Sequence, residues 1–321
     1  MAADEFSLIK RYFSNCGAAG SATLLGVGDD CALLAPPVGE VLAVTTDTLL
    51  AGVHFPDNSP ARLIAQRALA VNLSDMAAMG ATPRWFQLAL TMPDADQDWL
   101  AGFSAGLDAM ARQFNCALVG GDTTRGPLTI SITLMGTVPA AQALKRSGAK
   151  PGDRIYVTGS LGDGAAGLAA LEGKLSASVE DCAYFNDRFW QPQARVAQGL
   201  ELREFASAAI DISDGLLADL GHITEASEVG ALLEVDKLPL SQALHRAAGS
   251  KLGLSWALTG GDDYELCFTV PANGLAQCQR LIDTGLLSAT PIGQIIDGQG
   301  VRCVDEDGQS VAVECSGYKH F

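Results

Sequence analysis

The feature that most constrains this chain is a construction that recurs along it, in which a short apolar segment leads to aspartates beside glycine or hydroxyl residues. In one copy Val41-Leu42-Ala43-Val44 continues directly into Thr45-Thr46-Asp47. The others are Gly28-Asp29-Asp30, Asn72-Leu73-Ser74-Asp75, Gly120-Gly121-Asp122, Asp211-Ile212-Ser213-Asp214 and Gly260-Gly261-Asp262-Asp263. We interpret these segments as acidic turns that bring carboxylates from both halves of the chain into one pocket.

The acidic turns are more than helix caps. A single aspartate after a strand usually caps a helix or hydrogen-bonds within its own turn. Caps do not require glycine or a hydroxyl residue beside almost every carboxylate. Converging carboxylates resist ionisation unless cations lie between them. Because oxygen ligands with little histidine and no cysteine suit a hard cation, Mg²⁺ fits best, held by a few carboxylates and substrate phosphates.

Composition and charge exclude several classes of protein. The 321 residues suffice for two domains, and 21 Lys and Arg against 37 Asp and Glu give a formal charge of −16 with no basic run, so nucleic acid is not an expected partner. The 8 cysteines show no zinc-like spacing. No uncharged apolar run approaches the ~18 residues of a membrane helix, and acids occupy the N-terminal stretch where a signal peptide carries bases. We expect a cytoplasmic protein without a membrane segment.

The hydrophobic patterns predict both strands and helices in a chain long enough for two domains. Apolar residues alternate with Thr and Ser over 128–134, which is typical of a strand with two different faces, and helical spacing appears at 61–80 and 97–115. We predict an N-terminal domain over 1–139, a linker over 140–153 and a C-terminal α/β domain over 154–321. The linker region carries Lys145, Arg146 and Lys150, which form either a solvated surface or a clamp on nucleotide phosphate.

Two nucleotide-binding signatures are excluded or discounted. Gly162-Asp163-Gly164-Ala165-Ala166-Gly167 matches G-x-G-x-x-G after a predicted strand, but 176–192 does not supply the second strand that a dinucleotide fold requires. No G-x-x-x-x-G-K-[ST] loop occurs. Covalent catalysis is unsupported too, because there is no Gly-x-Ser-x-Gly elbow and no cysteine in a basic context.

Phosphoryl transfer suits the acidic turns best. It depends mainly on positioning and on charge neutralisation, which bound divalent cations and one or two arginines supply. A phosphate monoester acceptor with a second pKa near ~6 is largely dianionic at neutral pH and needs no general base. The acidic turns therefore favour phosphoryl transfer, and a phosphate monoester is one acceptor that suits this chemistry.

The ordered set of motifs resembles the thiamine-monophosphate kinases over nearly the whole chain. The motifs are Gly-Val-Gly-Asp-Asp-Cys-Ala, Thr-Thr-Asp-Thr-Leu, Val-Asn-Leu-Ser-Asp-Met-Ala-Ala-Met-Gly-Ala, Gly-Gly-Asp-Thr-Thr-Arg-Gly and Asp-Ile-Ser-Asp-Gly-Leu. The resemblance implies membership of the superfamily of aminoimidazole ribonucleotide synthetase and selenophosphate synthetase. It implies a two-domain synthetase-like α/β (α+β) fold with a C-terminal α/β domain. It also implies a homodimer with N-terminal mixed sheets joined across the interface, and ATP with several Mg²⁺ ions bound between the domains. The implied reaction is direct transfer of the γ-phosphate of ATP to thiamine monophosphate, the last step of thiamine diphosphate biosynthesis.

The resemblance also assigns roles to residues whose motifs match. The implied metal ligands are Asp30, Thr45, Thr46, Asp47, Asp75, Asp122, Asp211 and Asp214. The implied ATP contacts are Gly121, Asp122, Arg146 and Ser213, and the implied thiamine monophosphate contacts are His54, Asp262 and Tyr318. Catalysis would depend most directly on Asp47, Asp75, Asp122, Arg146 and Asp211. Asp262 stands where the family commonly has Glu.

Three other hypotheses stay open at this point. A lone histidine such as His54 is often structural. A selenophosphate synthetase would need a reactive cysteine in an N-terminal glycine-rich loop, which Cys16-Gly17 supports poorly, and the hydrogenase-maturation relatives need a C-terminal cysteine where this chain has Phe321. A non-catalytic cation-binding protein would bind metal without nucleotide dependence, although no EF-hand loop is present.

Overall fold

The chain forms two compact units. A computed structural model describes residues 5–18 and 20–313. The first unit comprises the residues up to Met76 together with Ala81–Ala141, and the second comprises Ala77–Gly80 together with the residues from Gln142 onward. Each unit has its own main sheet.

The first unit is built around a four-stranded mixed sheet. Its elements are α1 (Glu5–Tyr12), β1 (Thr23–Leu25), β2 (Leu33–Leu34), β3 (Glu40–Leu50), α2 (Ala61–Ala78), β4 (Thr82–Met92), α3 (Gln97–Gln113), β5 (Ala117–Arg125) and β6 (Thr129–Pro139). The strand order is β3-β6-β4-β5, with β4 and β5 parallel and the other pairs antiparallel. β1 and β2 form a separate two-stranded sheet.

The alternation of apolar residues in β6 separates the two faces of this sheet. Ile130, Ile132 and Leu134 are fully buried, whereas the Thr and Ser residues between them are half-buried. Helix α2 covers the apolar face, since a side chain added at Gly136 would meet the Met76 sulfur. The helix is buried along most of its length, because small and apolar residues occupy nearly all of its surface.

Two of the predicted acidic turns are parts of strands instead. We expected Asp47 and Asp122 to follow strands, but Asp47 lies in the middle of β3 and Asp122 lies within β5. The threonines beside both aspartates favour extended backbone, so the strands continue through them. Gly121 also remains in the strand: its φ is +146°, and a side chain there would collide with the Leu88 carbonyl on the paired strand.

A third predicted turn lies within a helix. Asp75 is part of α2, as the helical spacing of 61–80 predicted. Even the polar residues Arg67 and Asn72 of this helix are only 2% and 0% exposed. The helix is therefore a central element of the unit and not a surface helix.

The second unit contains a six-stranded mixed sheet with helices. Its elements are β7 (Arg154–Thr158), α4 (Asp163–Leu171), α5 (Val179–Trp190), α6 (Val196–Leu202), β8 (Ala208–Asp211), α7 (Leu216–Ser227), β9 (Gly230–Glu234), a 3₁₀ turn (Val235–Lys237), α8 (Gln242–Thr259), β10 (Leu266–Val270), α9 (Leu275–Asp283), β11 (Ala289–Ile296) and β12 (Gly300–Val304). The strand order is β12-β9-β11-β7-β10-β8, and among these pairs only β9 and β12 run parallel.

This sheet places two acidic loops beside each other. Strand β8 ends at Asp211, which pairs with Leu266, the first residue of β10. The loop that follows β8 and the loop that precedes β10 therefore begin at the same edge of the sheet. Both strands are completely buried and anchor the loops in the apolar core.

The G-x-G-x-x-G segment does not open a dinucleotide-binding unit. It begins α4 after β7, but the next elements are α5 and α6 and not a second strand. This agrees with the prediction from sequence. Across the described ranges, every helix is too short or too polar to cross a membrane.

Candidate functional site

The residues most clearly brought together in the first unit are Thr45, Asp47 and Asp75. Thr45 and Asp47 are two positions apart on β3, so their side chains lie on the same face of the sheet. Residue 47 pairs with Ile132, which places this face toward the buried side. The Thr45 hydroxyl donates a hydrogen bond to the Asp75 carboxylate on α2.

The environment of Asp47 opposes its ionisation. Burial, followed by the negative charge of Asp75, raises the pKa of Asp47 to about 7 from an ordinary value of 3.8. A divalent cation between the two carboxylates would relieve both effects, because it restores the favourable environment that the carboxylates lost with water. Carboxylate and hydroxyl oxygens are also the ligands that Mg²⁺ prefers. The donor set therefore fits magnesium.

Thr46 does not join this group through its side chain. It lies on the opposite face of β3, where its hydroxyl shares a hydrogen bond of 2.9 Å with the hydroxyl of Thr133. The neighbouring pair Thr48 and Ser131 makes a similar bond of 2.7 Å. Such cross-strand hydroxyl pairs stabilise the sheet.

Asp122 lies at the other edge of the same sheet. Strands β3 and β5 are separated by β6 and β4, which corresponds to about 14 Å across three strand spacings. Asp122 is exposed and pairs with Ala89. Across the sheet this register leads through Ser131 to Thr48, which is the residue after Asp47. Within one chain, Asp122 is therefore not close to Asp47.

The remaining predicted residues of the first unit lie in connections between strands and helices. Asp30 is exposed, and its backbone N–H donates to the Asp29 carboxylate at 2.8 Å. His54 is half-buried, and its Nδ1 accepts a hydrogen bond of 3.0 Å from the backbone N–H of Leu50. Because Nδ1 is an acceptor, the proton of the neutral ring lies on Nε2.

In the second unit, the loop after β8 carries three of the predicted residues. Asp211 is buried, with 6% exposure, and Ser213 and Asp214 are half-buried. The loop ends at Gly215, whose φ of 115° begins α7. Asp211 therefore belongs to the rigid end of the strand, whereas Ser213 and Asp214 are accessible to a ligand.

Asp219 is a buried residue that we did not identify from sequence. One of its oxygens accepts hydrogen bonds of 3.1 Å from each of the backbone N–H groups of Ser213, Asp214 and Gly215. Burial and the nearby charge of Asp214 raise the pKa of Asp219 to about 7, although the three hydrogen bonds oppose the rise. The position of Asp219 one turn into the helix after Asp-Ile-Ser-Asp-Gly is visible in the sequence, but an aspartate there is common and does not by itself indicate this role.

The loop before β10 is bonded to the loop after β8. The Asp262 N–H donates to the Ser213 carbonyl at 2.9 Å, and the Tyr264 N–H donates to the Ile212 carbonyl at 2.8 Å. Gly261 lies so close to the Ser213 carbonyl that a side chain at 261 would meet it at 2.5 Å. The two acidic loops therefore form a single structural piece.

The backbone of the second loop is held in an unusual conformation. Asp262 and Tyr264 have φ values of 70° and 51°, which non-glycine residues seldom adopt. The Tyr264 hydroxyl donates to the Asp262 carboxylate at 3.1 Å. This local strain is maintained by the bonds to the neighbouring loop, and it fixes the position of the Asp262 side chain.

A buried ionic network lies at the base of the same loop. Glu265 accepts hydrogen bonds from Arg188 at 2.8 Å, from Arg195 at 2.6 Å and from Thr158 at 2.6 Å. Burial alone would raise the pKa of Glu265, but the hydrogen bonds and charges of the two arginines lower it. The carboxylate is therefore ionised and paired.

Asp263 shows the opposite behaviour. It accepts hydrogen bonds from the backbone N–H groups of Gly162 at 2.7 Å and Gly164 at 3.1 Å. Burial raises the pKa of Asp263 to about 8, despite these bonds and the nearby Arg188. Asp263 thus joins the acidic loop to the glycine-rich start of α4, which explains these glycines without a dinucleotide.

Two predicted residues remain apart from these groups. Arg146 is exposed, and its carbonyl accepts a hydrogen bond of 3.1 Å from the Ser227 hydroxyl. Tyr318 lies outside the described residues. Within residues 5–18 and 20–313, no three His, Cys, Asp or Glu side chains are grouped closely enough to hold a metal ion. This is compatible with Mg²⁺, which often takes one or two carboxylates and completes its shell with water and substrate phosphate.

Comparisons with known proteins identify the family. Two family models match, "AIR synthase related protein, N-terminal domain" over residues 28–138 and "AIR synthase related protein, C-terminal domain" over residues 150–306. Thiamine-monophosphate kinase of Salmonella typhimurium (strain LT2) is 51% identical over 324 residues, covering 100% of this chain and 99% of the relative. The Escherichia coli (strain K12) enzyme of the same name is 50% identical over 323 residues, again covering 100% and 99%.

Solved structures agree. Thiamine-monophosphate kinase from Stenotrophomonas maltophilia K279a has a TM-score of 0.84 and 49% identity, covering 91% of this chain and 93% of that chain. AaThiL complexed with AMPPCP and TMP has a TM-score of 0.78 and 32% identity, covering 92% of both chains. By sequence over its full length and by fold, this chain belongs to the thiamine-monophosphate kinase family, among the AIR synthase related proteins.

Proposed function

We propose that this protein transfers the γ-phosphoryl group of ATP to thiamine monophosphate, giving thiamine diphosphate and ADP. The observation that carries the proposal is the full-length identity of 51% to a thiamine-monophosphate kinase. A structural relative at 32% identity was solved with AMPPCP and TMP, which supports a site for a nucleotide and a phosphate monoester together. This reaction is the last step of thiamine diphosphate biosynthesis.

The transfer is direct in this proposal. The acceptor phosphate, with a second pKa near ~6, is mostly dianionic at neutral pH and attacks without a general base. The phosphoryl group moves from the β-phosphate oxygen of ATP to an oxygen of thiamine monophosphate, so ADP leaves with the bonding electron pair. The buried thiols of Cys16 and Cys116 have pKa values raised to about 12, chiefly by burial, and are unsuited to act as nucleophiles.

The proposed magnesium ligands are found in each of the two units. In the first unit Thr45, Asp47 and Asp75 offer the arrangement described above. The proposed set also includes Asp30, Thr46 and Asp122, of which Thr46 points to the opposite face of β3 and Asp122 lies on the opposite edge strand of the sheet within one chain. In the second unit the ligands are Asp211 and Asp214. When bound, Mg²⁺ neutralises the charge of the nucleotide and acceptor phosphates.

The other proposed residues orient the two substrates. Gly121, Asp122, Arg146 and Ser213 contact ATP, and Arg146 adds a positive charge near the phosphates. His54, Asp262 and Tyr318 contact thiamine monophosphate. Asp262 is suited to the cationic thiazolium ring because the Tyr264 hydrogen bond orients its carboxylate. Tyr318 would offer an aromatic face to the same cation.

We propose that the protein is a homodimer. Among the described residues, β3 has 11 residues and pairs along one side only, with β6. The outer face of β3 exposes Val44 (60%) and Leu42 (49%). Long unpaired edges with exposed apolar residues are normally covered. A second copy that covers this surface would also place its own carboxylates close to the first site.

Sedimentation velocity tests the dimer. Val44→Lys should shift the protein to the monomer. Val179→Lys is the matched control, because Val179 is an equally apolar, 90% exposed residue of the second unit. A wild-type monomer at micromolar concentration contradicts the proposal.

The activity is tested by incubating the protein with ATP, Mg²⁺ and thiamine monophosphate, and separating the products by chromatography. We expect thiamine diphosphate and ADP in equal amounts. Replacing thiamine monophosphate by thiamine should give no product, because the alcohol is not an ionised nucleophile. ATP hydrolysis without thiamine diphosphate contradicts the proposed function.

A further inference from the structure

The side chain that shapes the loop after β8 is Asp219, which has no assigned role in the proposed site. It is only 3% exposed and lies one turn inside α7. A single carboxylate oxygen accepts three hydrogen bonds of 3.1 Å, from the backbone N–H groups of Ser213, Asp214 and Gly215. The first residue before the helix is Gly215, which has no side chain with which to cap it. Asp219 therefore caps its own helix from inside.

This cap occupies the position that an external anion would take. Converging N–H groups at a helix N-terminus commonly bind phosphate, since the helix dipole and the donors both favour negative charge. In α7 the three donors already point to the internal carboxylate of Asp219. They are therefore not available to the phosphates of a nucleotide.

The groups that this loop can offer to a ligand are oxygens. Ser213 and Asp214 are half-buried residues that carry a hydroxyl and a carboxylate. Carboxylate and hydroxyl oxygens are ligands that hard cations prefer, and the Ser213 hydroxyl can in addition donate a hydrogen bond to a phosphate oxygen. The same loop extends to the substrate side, because the Ser213 carbonyl accepts the Asp262 N–H at 2.9 Å. The shape of the Ser213–Gly215 loop thus influences the positions of Asp214 and Asp262.

We propose that Asp219 is a positioning residue that makes the start of α7 a cation-binding loop instead of a phosphate-binding loop. By accepting hydrogen bonds from three backbone N–H groups, Asp219 fixes the loop in a conformation in which Ser213 and Asp214 present oxygens to the magnesium–nucleotide complex. This inference rests on the proposed function of the Asp211–Asp214 segment. It predicts that Mg²⁺-dependent nucleotide binding requires an oxygen acceptor at position 219 and depends less on the negative charge of the side chain.

Two variants of Asp219 separate these effects. Asp219→Asn retains a carbonyl oxygen that can accept the three N–H groups, and Asp219→Ala removes the acceptor. Asp153→Ala is the matched control, since Asp153 is also a buried carboxylate, 5% exposed, that accepts a loop N–H, from Lys150 at 3.0 Å. Each variant is titrated with AMPPCP in the presence and absence of Mg²⁺ by calorimetry, and kcat and KM are measured for ATP.

Asp219→Ala should weaken the Mg²⁺-dependent part of AMPPCP binding by about tenfold or more. Formate, which can enter the space left by the carboxylate, should restore part of the binding to this variant and leave the wild type unchanged. Asp219→Asn should stay within about threefold of the wild type. We expect the larger effect on KM for ATP than on kcat.

Three results overturn the proposal. One is wild-type magnesium dependence in Asp219→Ala. Another is a loss of Mg²⁺-dependent binding of about tenfold or more in Asp219→Asn, and this outcome decides the question even if the alanine variant does not fold. The third is an equal loss in Asp153→Ala. Because nucleotide binding is measured without turnover, a failure of the kinase activity in the wild type is recognised separately.

Discussion

Asp47 on β3 and Asp75 on α2 are close enough for the charge of Asp75 to raise the pKa of Asp47, after burial has already raised it. The Thr45 hydroxyl donates to the Asp75 carboxylate and holds it in place. The strand and the helix thus bring two carboxylates and a hydroxyl together. Ionisation of both carboxylates is unfavourable there, and a bound cation would offset this electrostatic cost.

Asp47→Asn should abolish most of the kinase activity without disturbing the fold. The amide is a weaker cation ligand than a carboxylate, so kcat at moderate Mg²⁺ should fall by about 100-fold or more. Steady-state kinetics at several Mg²⁺ concentrations measure this effect, with circular dichroism to check the fold. Asp94→Asn, at an exposed position, is the control and should behave as the wild type. Near-normal activity in Asp47→Asn would remove Asp47 from the metal site.

The pH dependence of stability should change in the same variant when Mg²⁺ is absent. The folded protein holds a proton on Asp47 up to about pH 7, whereas the unfolded chain releases it near 3.8. The folded state therefore binds more protons between these values, and the stability associated with Asp47 falls as pH rises from about 4 to 7. In urea unfolding with EDTA, the free energy of unfolding of Asp47→Asn should increase relative to that of the wild type at pH 8 but not at pH 4. Equal differences at both pH values would contradict the raised pKa.

The buried network around Glu265 should be important for stability. Arg188 and Glu265 are 7% and 1% exposed in their side chains. Arg188→Met leaves part of a buried carboxylate unpaired, and should lower the free energy of unfolding by about 3–5 kcal/mol. Urea denaturation measures the change. Arg112→Met, which breaks the exposed helical pair with Asp108, is the control and should have little effect. Similar effects of the two variants would show that the network contributes little.

The cysteines should differ sharply in reactivity. Burial raises the pKa values of Cys16 and Cys116 to about 12, and both side chains are buried, whereas Cys31 is exposed. A short treatment with iodoacetamide at pH 8, followed by peptide mass spectrometry, should find Cys31 modified and the other two protected. Rapid modification of Cys16 or Cys116 in the folded protein would contradict their burial.

Sequence patterns predicted the elements of the fold better than the position of the acids within them. The alternation over 128–134 and the helical spacing over 61–80 predicted β6 and α2, because each pattern reflects one buried face. Asp47 and Asp122 were misplaced at turns, since glycine and threonine neighbours are compatible with both a turn and a continuing strand. Pairing with β6 and β4 decides between them, and pairing is not a local property.

The residues that support the loops of the candidate site could not be predicted from the sequence. Arg188 and Glu265 are 77 positions apart, and their bond exists only in the folded protein. Asp219 is close in sequence to Ser213, but an aspartate in the first turns of a helix is common and carries no specific signal. The motif residues themselves were recognisable because several of them occur in a fixed order along the chain. Their supporting contacts depend on tertiary structure.

The most direct measurement is the formation of thiamine diphosphate from thiamine monophosphate and ATP as free Mg²⁺ is varied, in the wild type and in Asp47→Asn. If the Asp47 and Asp75 carboxylates bind the Mg²⁺ that the kinase needs, product formation by the wild type should rise with free Mg²⁺ and then saturate. The variant should need about tenfold more Mg²⁺ or fail altogether. No product from the wild type, or the same Mg²⁺ dependence in both proteins, would contradict this description of the site.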